Sequence, residues 1–273
     1  MKKLVLFFLA HIILVCTGYN QTNEKCINGS FSFIEGEELT YILSYSWLFV
    51  WTDVGEVTFS VRKDMKFEQE TLHLKALGKS YPFYDRFFKV RDIYESWVEP
   101  ETLRPIYFNR DIYEGGYTKE NEYYFDWANN MVNARIRRRG GENRYYSIPT
   151  EQCTYDLVTA IYITRNFDFS GLTEGSSYPV SVILDRETYN VKYTFIAREE
   201  KGVKGAGKFK SLKFRVELVA GDVFEDGQYL YVWVTDDANK LPVYIESPIK
   251  VGSVKARISR WQGLVHPLSS KID

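Results

Sequence analysis

The sequence predicts an all-β protein with one mid-chain helix, built as a large antiparallel meander that forms an open or partly closed barrel. Three observations predict this fold. Most of the chain alternates apolar and polar residues with a period of two, which is typical of strands with one buried face. Aromatic residues make up 16% of the 273 residues, and they favour strands. Turn-forming residues separate the alternating runs at intervals that suit a meander.

The alternating runs occur on both sides of the middle of the chain. The clearest of them are residues 39–45, 57–61, 72–76, 191–195, 212–218 and 254–258. Asn129 and Asn130 tolerate positive φ and predict a hairpin turn between two runs. Residues 202–207, which include three glycines, predict a looser loop, and residues 236–239 predict a turn near the end of the chain.

One segment, residues 154–166, departs from the period of two. Its apolar residues recur at helical spacing, namely Leu157, Val158, Ile161 and Tyr162. Thr154 is the candidate N-cap, and Asp156 lies in the first turn, where a negative charge favours a helix. The sequence therefore predicts a helix near 154–166 that divides the chain at its middle.

The first eighteen residues have the three parts of a signal peptide. Lys2 and Lys3 give a positive start, an apolar stretch of about a dozen residues follows, and cleavage is expected after Gly18. The alternative is a buried core helix. We expect a signal peptide at 1–18, an N-terminal arm at 19–30, a single β-rich domain at 31–268 and a C-terminal tail at 269–273. The protein is then exported, and periplasmic or outer-membrane associated.

The cysteines fit an exported chain. Cleavage just before Cys16 would let it carry a lipid, but Val15 stands where a lipoprotein signal has a small residue, so a soluble product is favoured. We expect membrane contact only if Cys16 is lipid-anchored. Cys26 and Cys153 remain after processing and are disulfide candidates, because an oxidising compartment allows them to pair. The alternative is two unrelated buried thiols.

Charge and motifs exclude several classes of function. The net charge is -1 with a pI near 6.4, which offers no basic field for nucleic acid. Residues 202–208 match the spacing of a phosphate-binding loop, but Phe209 stands where that loop needs Ser or Thr, and a strand follows. We therefore expect no nucleotide. The arginines at 137–139 are better explained as a solvated hairpin end than as a phosphate or glycan clamp.

The sequence shows no pattern that is typical of a metal site or of a catalytic nucleophile. His73 and His266 are the only histidines after processing, and neither belongs to a cluster with ligand spacing. No pattern supports a Ser-His-Asp triad. We expect no metal, no other cofactor and no catalytic residue that the sequence can name.

Carboxylates are the one type of residue that could act in catalysis. Asp222, Glu225 and Asp226 gather near one turn, and Asp236 and Asp237 near another. A pair of acids could hydrolyse a glycosidic bond. However, aspartates are common in turns because their side chains bond nearby backbone groups. The turn explanation is the preferred one.

Clustered aromatic side chains provide the ligand-binding candidates. One side of a strand near residue 231 carries Tyr229, Tyr231 and Trp233, and the other side carries Leu230, Val232 and Val234. Such a strand is covered on both faces or lines a cavity on one face, and a cavity could take an acyl chain or stack sugars. The ligand-binding candidates are Tyr84, Trp97, Tyr229, Tyr231 and Trp233. The alternative is that these residues pack the core.

Several segments together resemble an uncharacterised family of exported bacterial proteins. They are FIEGEELTY at 33–41, GEVTF at 55–59, FKVRDIYESW at 88–97, LRP at 103–105, CTYDLVTAIY at 153–162, VWVTDDANKLPV at 232–243 and IKVGS at 249–253. The resemblance covers nearly the whole mature chain. It implies a domain of unknown function from the envelope of Gram-negative-type bacteria, with a fold similar to the β-barrel of a capsule-operon lipoprotein. It carries over no catalytic residues.

These observations predict a non-catalytic binding or scaffolding barrel for envelope glycan or lipid. One alternative is a glycan-cleaving enzyme that uses paired carboxylates, and another is a purely structural component of an envelope assembly. An aromatic pocket without acids favours binding. Two acids that face each other across a cleft favour the enzyme. An interior filled with side chains favours the structural component.

Overall fold

The computed structural model describes residues 26, 31–47, 50–217, 228–248 and 252–272, and these form sixteen strands and two helices. Strands β1 to β8 are Glu38–Trp47, Val50–Lys66, Gln69–Ser80, Val90–Val98, Pro105–Glu114, Tyr117–Asp126, Met131–Arg138 and Arg144–Pro149. Strands β9 to β16 are Thr154–Tyr155, Ser177–Leu184, Glu187–Val203, Gly207–Glu217, Tyr229–Thr235, Pro242–Pro248, Ser253–Gln262 and Lys271–Ile272. The helices are α1, Pro82–Phe88, and α2, Leu157–Thr164. The predicted signal peptide, Cys16 and most of the predicted N-terminal arm lie outside the described residues.

All sixteen strands belong to one sheet. The chain enters at β1 in the middle of the sheet and runs outward, strand by strand, to the edge at β8. It then crosses to β9 at the other edge and returns through β10 to β15, which pairs with β1. Every pairing is antiparallel except that of β9 with β10. The edges β8 and β9 do not pair, so the sheet is an open barrel, and the predicted fold class is confirmed.

The helix predicted near 154–166 is confirmed, but it is shorter than predicted, because α2 begins at Leu157 and ends at Thr164. Thr154 does not cap it, because Thr154 and Tyr155 form β9 and pair with Ser181 and Val182 of β10. Asp156 is the N-cap instead. Six of the eight residues of α2 are buried, and the helix contacts β3, β4 and β10. It therefore lies inside the curve of the sheet.

Helix α1 was not predicted from the sequence. It is seven residues long, begins with Pro82 and buries no residue. Pro favours the first turn of a helix because its fixed φ is already helical and the missing N–H has no partner there. So short a helix shows no apolar periodicity in the sequence. None of the helices within the described residues is long and apolar enough to cross a bilayer.

Two of the predicted connections are confirmed, and the looser loop predicted at residues 202–207 is a tight turn instead. Asn130 has φ of 52° in the turn between β6 and β7. Residues 204–206 form a tight hairpin turn between β11 and β12. The glycines at 202–207 therefore belong to a β-hairpin, although their spacing resembles that of a phosphate-binding loop. Residues 236–239 join β13 to β14. The expected C-terminal tail differs, because Lys271 and Ile272 form β16 and pair with β12.

Cys26 and Cys153 form a disulfide with Cα atoms 5.3 Å apart, as the sequence predicts. Cys153 precedes β9, and α2 begins four residues later. The bond joins the segment before β1 to the crossover between the two edges of the sheet. It therefore links the beginning of the chain to its middle.

Candidate functional site

An apolar cavity of about 140 Å³ lies between the inner face of the sheet and α2. Strands β1 to β4 and β11 to β15 line one side, and α2 with the segment after it lines the other. The apolar lining includes Leu43, Val57, Phe59, Val216, Leu230 and Val232. Apolar cavities of about 150 Å³ stay dry and accept small hydrocarbons. The cavity therefore suits an apolar group, such as part of an acyl chain.

Two phenylalanines after α2 mark where the cavity approaches the surface. Phe167 and Phe169 line the cavity and are half-buried, and they alternate with the exposed Asp168 and Ser170. The ring of Phe169 lies 5.0 Å from that of Phe214, which also lines the cavity. An apolar chain longer than the cavity could therefore extend past these rings.

Asp156 fixes α2 against the sheet. Its carboxylate accepts hydrogen bonds from the backbone N–H of Val158 at 2.9 Å and of Thr159 at 3.0 Å. It also accepts one from Ser96 Oγ of β4 at 2.6 Å. Burial raises the pKa of Asp156, and these donors act in the opposite direction. The cap satisfies the first turn of the helix and binds it to β4, so this wall of the cavity is anchored at its N-terminal end.

A buried ion pair anchors the other end of α2. Arg165, the C-cap residue, binds Glu37 through two parallel contacts, Nη1–Oε1 at 2.5 Å and Nη2–Oε2 at 2.8 Å. Both side chains are at most 1% exposed. Arg165 also donates to the backbone oxygens of Ser32 and Asn239. Burial opposes the charge on Arg165, but Glu37 outweighs it, so the guanidinium pKa is raised.

A second buried polar cluster joins the two halves of the sheet. Asp185, in the turn between β10 and β11, accepts a hydrogen bond from Arg110 Nη2 at 2.5 Å and contacts Lys119 Nζ. Burial tends to raise the pKa of Asp185, but Arg110 and Lys119 outweigh it and hold that pKa well below its usual range. Burial and Arg110 lower the pKa of Lys119 to about 7. The cluster fastens this turn to β5 and β6 across the interior.

Two buried carboxyls, Asp92 on β4 and Glu114 on β5, share a hydrogen bond. Burial, reinforced by Glu114, raises the pKa of Asp92 to about 9, and burial raises that of Glu114 to about 7. Two carboxylates in contact cannot both ionise at low cost, so one keeps its proton. Asp92 also lines the cavity. At neutral pH it therefore places an uncharged hydrogen-bonding group on the cavity wall.

The raised pKa of Asp92 predicts a pH-dependent stability. The folded protein keeps a proton on Asp92 that the unfolded chain releases above about pH 4. The contribution of Asp92 to the free energy of unfolding is therefore complete in acid and is lost as pH rises towards 9. Asn imitates the protonated acid and cannot ionise. We expect Asp92→Asn to gain stability relative to wild type between pH 5 and 8, by at most about 1.4 kcal/mol per pH unit.

Urea unfolding at pH 5, 6, 7 and 8 measures this difference. Glu70→Gln, which changes an exposed carboxyl on β3, is the matched control and should run parallel to wild type. Titrating groups distant from Asp92 are shared by both proteins and cancel in the comparison, whereas Glu114, which is hydrogen-bonded to Asp92, contributes to the measured difference. A constant difference between Asp92→Asn and wild type at all four pH values would contradict the assignment.

The face of β13 that carries three of the ligand-binding candidates points away from the cavity. Leu230, Val232 and Val234 line the cavity, and Tyr229, Tyr231 and Trp233 lie on the opposite face. Lys201 Nζ lies 3.6 Å from the ring centroid of Trp233, and Trp233 Nε1 donates to Glu199 Oε1 at 2.5 Å. Lys213 lies over Tyr231 at 5.2 Å, and Arg215 over Tyr229 at 4.6 Å.

Trp97 and Tyr84 also lie apart from the cavity lining. The ring of Trp97 stacks on His73 at 4.3 Å, and Lys66 Nζ lies 4.0 Å from its centroid. Tyr84 is half-buried in α1 and packs against the core. The structure therefore brings Tyr229, Tyr231 and Trp233 together on one outer face and keeps Trp97 and Tyr84 elsewhere. That any of the five binds a ligand stays a prediction.

The other motifs have structural partners. Asp237 accepts hydrogen bonds from the hydroxyl of Thr235 and the backbone N–H of Asn239, as the turn explanation predicts. Asp236 instead pairs with Arg198 of β11. Asp222, Glu225 and Asp226 lie outside the described residues. Arg137 pairs with Glu120 on β6. Within the described residues, no group of three or more His, Cys, Asp or Glu side chains is placed to hold a metal ion.

The buried polar groups were not predicted from the sequence. Asp92 shares its strand with Val90, Tyr94 and Val98, and all four alternate with less buried residues. A charged residue in phase with the apolar positions of a strand is the feature that predicts such a group. Arg110 on β5 shows the same feature, because it is buried between the half-buried Asn109 and the exposed Asp111.

The fold and the cavity together define an open, barrel-like antiparallel sheet wrapped around a helix, with an apolar interior site. The sequence belongs to the family described as "Protein of unknown function (DUF3108)", which matches residues 40–259. The chain is also similar in fold to the crystal structure of a β-barrel-like protein of domain of unknown function DUF1849 from Brucella abortus.

That similarity has a TM-score of 0.52 at 7% sequence identity, and it covers 85% of this chain and 99% of the Brucella chain. At this identity the likeness shows a shared fold alone. The curated proteins include no significant match to the sequence. The family and the neighbour agree with the resemblance noted from the sequence and with its implied barrel.

Proposed function

We propose that the protein binds a lipid without catalysing a reaction, by taking an acyl chain into the interior cavity. The observation that carries this proposal is the cavity of about 140 Å³ with its apolar lining between the sheet and α2. Burying an apolar chain there removes hydrocarbon from water at roughly 25 cal/mol per Å². Asp92, which keeps its proton beside Glu114, lines the cavity without placing a charge in it.

The contacts of the aromatic side chains support a lipid rather than a glycan. Sugars stack on open aromatic faces, but Trp233 is only 5% exposed and carries Lys201 on its ring. Trp97 already carries His73 and Lys66. A sugar would have to displace these partners. An acyl chain that enters the cavity displaces no side chain of the described residues, because the space between its apolar walls is open.

Two alternatives have less support. Glycosidase acids stand about 5 Å or more apart so that the sugar fits between them. Asp92 and Glu114 are hydrogen-bonded to each other and leave no such gap. A purely structural barrel would have its interior filled with side chains, and the cavity departs from that expectation.

We place this activity in the bacterial cell envelope. The support is the signal-peptide pattern of residues 1–18 and the pairing of Cys26 with Cys153, which an oxidising compartment favours. An envelope location also brings the protein close to lipids with acyl chains.

Filling the cavity tests the proposal. Val232→Trp places a large ring in the cavity, and we expect it to weaken binding of the fluorescent fatty acid cis-parinaric acid at least tenfold, or about 1.4 kcal/mol. Tyr231→Trp is the matched control, because it makes the same side chain one residue away on the opposite face of β13. The measurement is a fluorescence titration of both variants and of wild type, with melting temperatures recorded in parallel.

The proposal fails if wild type does not bind the probe. It also fails if Val232→Trp binds as tightly as wild type, or if Tyr231→Trp weakens binding equally while both variants remain folded. If the proposal holds, native mass spectrometry of the protein from its own envelope would identify the lipid.

A further inference from the structure

One end of the sheet carries exposed apolar side chains beside unpaired cations. Helix α1 joins β3 to β4, and the turns after β5 and β7 lie at the same end because antiparallel strands alternate in direction. We call this the α1 end. It consists of residues 82–89, 114–117 and 138–144. The opposite end includes the turn between β2 and β3.

The apolar part of the α1 end is two phenylalanines on α1. Phe83 is 64% exposed and Phe87 is 76% exposed, and their ring centroids lie 5.8 Å apart. The helix buries no residue of its own. Side chains four residues apart lie on one face of a helix, so the two rings project together. Burying these rings against another surface would remove them from water.

The three parts of the α1 end touch one another. The backbone N–H of Gly115 donates to Lys89 O at 2.8 Å, and a side chain at Gly115 would collide with the ring of Phe88. Lys89 Nζ lies 5.7 Å from the ring of Tyr113. In the turn between β7 and β8, Arg139 lies 5.6 Å from the ring of Tyr117, the first residue of β6. The α1 end is therefore one continuous surface.

This surface is positively charged. Arg86, Lys89, Arg139 and Arg144 are exposed, and none of them forms an ion pair within the described part of the chain. The exposed acid in the same turns is Glu142, and Asp85 is neutralised by Arg91 at 2.6 Å. The surface that carries the two phenylalanines thus also carries four cations without an ion-pair partner among the described residues. Cations with aromatic side chains favour the interface of a membrane that carries anionic lipids.

We propose that the α1 end docks on an anionic lipid bilayer, with Phe83 and Phe87 entering the interface and the basic residues contacting phosphate groups. The complementarity of charge selects this partner, because a neutral surface would leave the four cations without counter-charges. The inference goes beyond the proposed lipid binding in the cavity and does not depend on occupancy of the cavity.

Co-sedimentation with vesicles tests the docking. The protein is used as the host produces it, with Cys16→Ser so that no lipid can be attached at that position. Vesicles of phosphatidylcholine with 30% phosphatidylglycerol are compared with vesicles of phosphatidylcholine alone. We expect wild type to favour the anionic vesicles on the order of tenfold and to lose this preference in high salt.

Paired variants locate the docking surface. Phe83→Ser/Phe87→Ser should lower the partition coefficient on the order of tenfold, and Arg86→Gln/Lys89→Gln should do so by a similar factor. Their controls are Phe67→Ser and Lys204→Gln, which change exposed residues in turns at the opposite end. These controls should bind as wild type does. Equal binding to both vesicle types, no binding, or equal losses in the variants and the controls would overturn the proposal.

Discussion

Replacing Glu37 by Gln is expected to lower the free energy of unfolding by about 3–5 kcal/mol. The substitution keeps the size of the side chain but removes the charge that compensates Arg165. The guanidinium of Arg165 is 1% exposed, so it would remain as an uncompensated charge away from water. The affected contacts join three parts of the chain, because Arg165 also binds the backbone at Ser32 and Asn239.

The neighbouring residue supplies the control. Glu38 pairs with Arg62 at 3.5 Å, and both side chains are more than a third exposed. Glu38→Gln should therefore change stability by less than about 1 kcal/mol. Urea unfolding of both variants is the measurement. The double variant Glu37→Gln/Arg165→Met should recover part of the loss, because it removes the unpaired charge. Equal effects of Glu37→Gln and Glu38→Gln would contradict this account.

Loss of the disulfide is the second large effect. Cys26 and Cys153 are 127 residues apart, and cross-linking a loop of that length restricts the unfolded chain by up to about 5 kcal/mol in the chain-entropy picture. Measured effects are usually smaller. We expect Cys26→Ser/Cys153→Ser to lose about 2–5 kcal/mol of stability. The loss should appear in urea unfolding as a lower midpoint.

Reduction of the wild type provides an independent comparison. The urea midpoint of wild type in the presence of dithiothreitol should match that of the double variant. Dithiothreitol should not change the midpoint of the double variant itself. Thiol counting in denatured, unreduced protein should find neither Cys26 nor Cys153 free. Two reactive thiols at these positions would show that the bond does not form in the protein as produced.

The period of two predicted the sheet because it is a local property. Each strand repeats its own alternation, so residues 57–61 or 254–258 show one buried face without reference to any other strand. The turn at Asn130 and the core of α2 were predictable for the same reason. The ends of α2 were not, because pairing of Thr154 with Ser181 is a contact between distant segments.

The candidate site depended on such distant contacts. Alternation shows that β13 has two faces, but both are apolar, so the sequence alone does not say which face is inside. That choice is visible only in the contacts of Lys213 on the paired strand β12 and of Lys201 on β11, the next strand beyond it, because both lysines approach Trp233. The pairing of Arg165 with Glu37 spans 128 positions and has no local pattern at all.

The pairing of β1 with β15 has a consequence for how the chain reaches this fold. Glu38 lies opposite Gln262, so the middle of the sheet is closed by segments from nearly opposite ends of the sequence. Strands β1 to β8 can assemble through local hairpins as they emerge, whereas the edge of β1 must wait for β15. Until then β1 presents unpaired N–H and C=O groups to any other strand. We therefore expect the pairing of β1 with β15 to form late in folding, and an incomplete chain to pair with a second copy most readily along β1.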